Sequence, residues 1–144
     1  MQPIDLLDVN VWLALAVEDH PHHERARHYW EQEGAPCLAF CRITMLGLLR
    51  LSTHSQIMAG HPFSPAEAWT MYRGFRALPE IRFLPEPPEL EADFAELSGA
   101  VSFSAALWTD AYLASLARLA DCRLISFDKD FAKFPDLTFL QLRV

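Results

Sequence analysis

Short apolar runs alternate along the chain with longer stretches in which apolar positions recur every three to four residues. Ile4 to Leu7, with Val9, reads as a buried strand. From Val11 to Val17, residues Leu13, Ala14 and Val17 fall at helical spacing, which places a strand-to-helix turn around Asp8 to Asn10. A second helix has Pro21 in its first turn, Asp19 or His20 as its cap, and Ala26, Tyr29 and Trp30 on one face before Gly34 and Pro36 stop it. Cys37 to Phe40 is the second strand. Arg42 to Leu51 then carries Ile43, Leu46 and Leu49 or Arg50 on a helical period, and Gly60-His61-Pro62 interrupts the chain beyond it. Ser64-Pro65-Ala66-Glu67 is a capping box with proline at the first helical position, so the serine oxygen meets the amide of Glu67 and the glutamate reaches back. That helix turns Ala68, Tyr72 and Phe75 inward and ends at Pro79. Ile81 to Leu84 is a third strand, Pro87-Pro88 opens a helix burying Leu90, Phe94 and Leu97, and Gly99 to Ser104 is a small-residue loop. Leu107 to Ala120 is an amphipathic helix with Leu113, Leu116, Ala117 and Ala120 on one face. Cys122 to Phe127 and Thr138 to Leu142 supply the last two strands.

Strands alternating with helices imply a parallel sheet covered on both faces. With right-handed crossovers the arrangement is a three-layer α/β/α sandwich around a central parallel sheet of about five strands. Residues 1–144 read as a single domain, with no linker, low-complexity tract or internal repeat. The longest apolar run, Val11 to Val17, falls far short of the roughly 20 residues of a membrane helix. No Lys or Arg precedes Arg25, and Asp5 and Asp8 interrupt the first apolar segment, so a cytoplasmic protein without a secretory leader is expected. Cys37, Cys41 and Cys122 have no paired zinc spacing and read as buried thiols.

Charge changes the picture. Nineteen acidic residues against twelve Lys and Arg leave a formal charge of −7, which disfavours a broad basic face for nucleic acid. In open parallel sheets ligands bind beyond the carboxyl ends of strands, and several of the acids fall there. Asp8 ends the first strand, Asp128 and Asp130 follow the fourth, and Asp110 lies in the first turn of the Leu107 helix. Taken singly, each has an ordinary explanation. Asp110 suits a helix macrodipole, Asp128 and Asp130 suit a turn, and only Asp8, set between apolar residues, is hard to place. Taken together they would repel one another unless a cation sat between them, and Mg²⁺ or Mn²⁺ prefers such oxygen ligands. Asp5, an odd number of positions from Asp8, faces the other side of the sheet and is set aside. His20, His22, His23 and His28 have no recognised metal spacing and read as decoration of a helix start.

Four segments carry a family resemblance: Leu6-Leu7-Asp8-Val9-Asn10-Val11, Ile43-Thr44, Thr109-Asp110-Ala111-Tyr112-Leu113-Ala114 and Ile125-Ser126-Phe127-Asp128-Lys129-Asp130-Phe131. In order and spacing they resemble the successive motifs of PIN-domain ribonucleases, and among those the VapC toxins of bacterial toxin–antitoxin pairs. The resemblance spans nearly the whole chain. It implies a Mg²⁺- or Mn²⁺-dependent endoribonuclease that hydrolyses RNA through a metal-activated water, forms a homodimer and is blocked by a cognate antitoxin. It matches Asp8, Asp110 and Asp128 to the family's metal-binding aspartates and Asp130 to a less regular acidic position. Asn10 and Ser126 match polar positions that orient the first and last aspartates, and Thr44 matches the hydroxyl opening the central helix.

One position departs from the pattern. The usual glutamate three residues after that threonine is Gly47 here, which puts a second metal position in doubt. Thr44, Gly47 and Arg50 do reproduce a Thr-x-x-Gly-x-x-Arg variant of the stretch. Glycine inside a helix costs about 1 kcal/mol relative to alanine, so it implies close packing or room for a bound group, of which packing is the simpler. Arg50 is placed near the site, as a phosphate contact or as half of a salt bridge. Two other readings remain: a PIN-like module that binds antitoxin or RNA without efficient cleavage, and an aspartate phosphoacceptor domain. The third strand, ending Leu84-Pro85-Glu86, lacks the aspartate the phosphoacceptor requires.

Overall fold

The computed structural model describes residues 2–144. Five strands form one sheet: β1 (Ile4–Leu7), β2 (Cys37–Phe40), β3 (Ile81–Phe83), β4 (Arg123–Ser126) and β5 (Phe139–Gln141). Their order is β3-β2-β1-β4-β5, and every pairing is parallel. The helices are α1 (Val9–Ala16), α2 (His23–His28), α3 (Arg42–Ser52), α4 (Pro65–Arg76), α5 (Leu90–Ala100) and α6 (Leu107–Leu119). A π-helical turn, Tyr29–Glu33, continues α2, and a 3-10 turn, Lys129–Lys133, follows β4.

The period of two along each strand divides the core. Leu6, Ala39 and Leu124 pack against α5 and α6 through Leu97, Leu113 and Leu116. Their sequence neighbours Leu7, Leu38, Phe40 and Ile125 point the other way, into a core with Trp12, Leu48 and Tyr72 from α1, α3 and α4. The result is the expected three-layer sandwich. Trp12 lies flat on Phe40, ring centroids 3.8 Å apart, and anchors the aromatic half. Trp69, next to the buried Ala68, is 39% exposed, with Arg73 over its ring.

Several boundaries shift for local reasons. Helix α1 begins at Val9, because the Asp8 carboxylate caps it by accepting from the Val9 amide at 2.7 Å, so the turn shrinks to one residue. Helix α2 begins at His23, and neither Asp19 nor His20 caps it; His20 Nδ1 accepts from the amide of His22, inside the turn before the helix. The capping box at Ser64 and Glu67 forms in both directions. In α3 the core-facing residues are Met45 and Leu48, whereas Leu46 is 52% exposed. The three cysteines are free and buried. Among the described residues no helix is long and apolar enough to cross a membrane.

Sheet order sets the position of any ligand site. From β1 the chain steps outward to β2 and β3, then crosses to the opposite side of β1 for β4 and β5. The strand order therefore reverses between β1 and β4, where helices leaving the two strands diverge and open a crevice. Asp8 directly follows β1, and Asp128 follows β4 by two residues.

Candidate metal centre

Asp8 is held from both sides. Its Oδ1 accepts the Val9 amide, and its Oδ2 accepts the Ser126 hydroxyl at 2.8 Å. Asp8 and Ser126 lie 118 residues apart in sequence and meet because Leu7 pairs with Ile125. The Ser126 oxygen, having donated its one proton, accepts from Asn10 Nδ2 at 3.2 Å and from the Asp128 amide at 2.9 Å. Asn10 Oδ1 also takes the Phe127 amide at 3.4 Å. Asn10 and Ser126 thus fix the directions of Asp8 and of the segment carrying Asp128. Asp128 Oδ1 accepts from the Asp130 amide at 2.9 Å, which starts the 3-10 turn, and Asp130 itself is exposed.

Asp110 is different. It is 5% exposed, and its Oδ2 is buried with no hydrogen-bond partner. Burial, then the nearby charges of Asp8 and Asp128, push its carboxyl up to about 7. Burial likewise raises Asp8, against the lowering effect of the Ser126 and Val9 hydrogen bonds. The carboxylates are therefore near enough to repel one another, although no trio of His, Cys, Asp or Glu among the described residues closes to metal-binding geometry. An orphaned buried oxygen within an all-oxygen donor set fits a hard divalent cation, which would supply the missing positive partner.

Thr44 does not point a free hydroxyl at this centre. Its Oγ1 accepts from the Cys41 amide at 2.9 Å and donates to the Cys41 carbonyl at 3.1 Å, closing the first turn of α3. Gly47 is a packing glycine: a Cβ there would sit 2.9 Å from Val9 Cγ2, so α1 and α3 approach at this point. A cavity of about 380 Å³ opens beside Asp8, lined by Thr44, Gly47, Arg50 and Thr109 among others. Arg50 faces it from α3 and makes no ion pair among the described residues. A hollow of about 430 Å³ lies at the opposite end of the sheet, beside Asp5 and Arg123, whose polar groups already satisfy one another.

Two features escape the sequence pattern. Lys133 is close enough to offset part of the repulsion on Asp110. Its Nζ also reaches the Ser102 carbonyl, a contact between segments 31 residues apart that no local spacing signals. The histidines at the start of α2 are less peripheral than expected. His22 stacks on Phe127, centroids 4.9 Å apart, and His23 Nδ1 pairs with the Ala14 carbonyl at 2.7 Å.

Comparison with known proteins agrees with this architecture. The PIN domain model matches residues 6–137. Ribonuclease VapC41 of Mycobacterium tuberculosis is 35% identical over 90% of this chain and 92% of its own length. Ribonuclease VapC38 of the same organism is 34% identical over 85% and 84%. Among solved structures, the sarcin–ricin loop cleaving toxin VapC20 of Mycobacterium tuberculosis superposes with a TM-score of 0.67 at 19% identity, covering 93% of this chain and 98% of that one. VapBC2 from Rickettsia felis, bound to a DNA fragment of its promoter, gives 0.68 at 12% identity over 97% and 99%. PIN-domain ribonucleases are in general dependent on divalent metals. With the PIN domain model matching most of its length and relatives similar over nearly their whole length, the chain belongs to the PIN-domain family, alongside the VapC ribonucleases.

Proposed function

We propose that this single domain of residues 1–144 is a Mg²⁺- or Mn²⁺-dependent endoribonuclease, the toxin of a toxin–antitoxin pair, working in the cytoplasm as a homodimer. The observation that carries the proposal is the buried, unpartnered Oδ2 of Asp110 beside Asp8 and Asp128 at the crevice between β1 and β4. Asp8, Asp110 and Asp128 would hold the cation, with Asp130 as a further acidic candidate. When bound, the cation polarises the RNA phosphate and lowers the pKa of the attacking water. Ser126 holds the Asp8 carboxylate and, with Asn10, the backbone that carries Asp128, so a cation would draw the acids together from fixed anchors. Thr44 builds the α3 end that bounds the site, and Arg50 offers a fixed charge to a phosphate entering the cavity. RNA is the substrate, and a cognate antitoxin is the protein partner. The excess of carboxylates favours a basic antitoxin segment as the competitor for the site.

The test is digestion of total RNA by the isolated protein with Mg²⁺, beside the same reaction in excess EDTA and with Asp8→Asn, followed by mapping of the cleaved ends. Cleavage that needs both metal and Asp8, leaving 5′-phosphates, is expected. Full activity of Asp8→Asn or in EDTA would sink the reading. A second reading, RNA or antitoxin binding without efficient cleavage, draws on the open spacing of the carboxylates and on Gly47 in place of the glutamate. Parallel assays in Mg²⁺ and Mn²⁺ decide it: binding with no cut ends in either metal would favour the module.

A further inference from the structure

The loop between α5 and α6 carries an exposed ring that neither the packing of the core nor the carboxylate centre uses. Lys133 closes the 3-10 turn that follows Asp128, and its Nζ lies 3.3 Å from the Ser102 carbonyl and 3.4 Å from Ser104 Oγ. The Ser104 carbonyl accepts the Leu107 amide at 3.1 Å, so this residue opens the turn into α6, whose first turn carries Asp110. Lys133 therefore ties the segment leaving Asp128 to the segment entering Asp110. Between its two anchors sits Phe103, 78% exposed and in neither half of the core. A loop needing only small residues to turn here instead presents an aromatic ring to solvent, while the Lys133 ammonium holds the residues on either side of it and lies over the Phe134 ring, 5.5 Å from its centroid.

A nucleotide presents the complementary pair of groups. Lysine takes a phosphate as a compact point charge with three donors, and both contacts on the Lys133 ammonium are long, so a phosphate oxygen competes well for them. An exposed ring stacks an unpaired base whatever its identity. We propose that Lys133, Ser104 and Phe103 form a nucleotide subsite flanking the carboxylate centre, in which Lys133 takes a phosphate of an unpaired RNA strand and Phe103 stacks its base. The inference rests on the ribonuclease reading and adds the path of the strand: Arg50 on the α3 side and Lys133 on the loop side bracket the acids. Were Lys133 present only to offset the repulsion on Asp110, the ring between its anchors would have no task.

The experiment is steady-state cleavage, at saturating Mg²⁺, of a fluorescent single-stranded oligoribonucleotide containing one mapped cut site. Wild type is compared with Phe103→Ala, Phe103→Trp, Lys133→Met and Lys133→Arg. Phe103→Ala should raise KM about tenfold, in line with the loss of one stacked base, with kcat within about twofold, and Phe103→Trp should restore KM. Lys133→Met should raise KM and flatten the salt dependence of kcat/KM by about one counterion, and Lys133→Arg should recover both. Melting temperature, Mg²⁺ midpoint and oligomeric state are measured in every variant. An unchanged KM in Phe103→Ala overturns the subsite. So does a Lys133→Met effect confined to the Mg²⁺ midpoint, or a Phe103→Ala variant whose only change is dissociation of a dimer. Failure of the wild type to cut RNA counts against the ribonuclease reading instead, and anisotropy of the same oligonucleotide with the same variants then decides the subsite on binding alone.

Discussion

Two carboxylates mark opposite ends of the sheet, and their surroundings are opposite as well. Asp5, near the start of β1, is 1% exposed and saturated: Tyr29 donates its hydroxyl at 2.6 Å, the Ala35 amide donates at 3.0 Å, and Arg123 binds both oxygens. Burial, then the Asp5 charge, pushes the Tyr29 hydroxyl far up, so it stays a donor. Asp110, beyond the carboxyl end of the strands, is buried almost as deeply and leaves Oδ2 without a partner. A buried carboxylate is tolerable when donors surround it and costly when they do not. Burial alone therefore does not mark a functional acid, whereas burial without a partner, beside two further acids, does. The first carboxylate is satisfied within the fold, and the second is the one the proposed cation would satisfy.

The sharpest way to break this contrast is to substitute at both ends and read both activity and stability. Asp8→Asn should lower RNA cleavage by about 10³-fold or more, the scale of removing a principal electrostatic stabiliser, with little change in urea midpoint. Asp5→Ala should do the reverse. It strands the Arg123 guanidinium and should cost roughly 3–5 kcal/mol in urea unfolding, with cleavage per folded molecule unchanged. Loss of activity in proportion at both ends would erase the distinction.

Metal supplies the next largest effect. Mg²⁺ at 100 times its dissociation constant should stabilise the protein by about 2.7 kcal/mol, seen as a rise in melting temperature that Asp110→Asn abolishes. In the absence of metal that variant should be more stable than wild type by about 1–2 kcal/mol, since a neutral amide replaces a charge with an unmet acceptor. The same carboxyl sets the pH profile of the metal-free protein. With the Asp110 carboxyl pushed up to about 7, the folded state holds a proton that the unfolded chain releases near pH 4. Between those values the native state binds more protons than the unfolded one, so stability falls as pH rises from about 4 to 7 and levels off above. Mg²⁺ affinity should rise over the same interval. Thermal unfolding at stepped pH checks both, and a profile for Asp110→Asn as steep as that of wild type would contradict the assignment.

Gly47→Ala should give the smallest change. The new methyl must displace Val9 Cγ2, 2.9 Å away, at an overpacking cost of roughly 1–3 kcal/mol that helix propensity partly offsets. Trimming Val9 to alanine in the same chain should recover most of the loss.

The local signals in the sequence were good guides where one turn or one strand decides the outcome. Cys37–Phe40, α3 and the Ser64 capping box fall where periodicity and cap chemistry put them. Parity along β1 placed Asp5 on the face of Leu7, where Tyr29 meets it. Asp8 was legible as an acid at a strand end. Its partner Ser126 came only through family resemblance, because the contact is created by the pairing of β1 with β4. Leu46 misled because a helical period names a stripe without saying which side meets the sheet, and Met45 and Leu48 won that side. Lys133 stayed invisible for the same reason as Ser126: its place depends on a loop remote in sequence.

The pairing of β1 with β4 also bears on when the protein becomes active during its own synthesis. Asp8 leaves the ribosome long before its partners, since the hydroxyl that orients it belongs to residue 126 and Asp128 comes two residues later. Until β4 inserts beside β1, the growing chain has one half of the sheet and no assembled site. A nascent ribonuclease spends its synthesis in contact with RNA, including the message that encodes it. With the site split between segments 118 residues apart, the activity is withheld until β4 has been made and paired, giving any partner made beforehand time to be present.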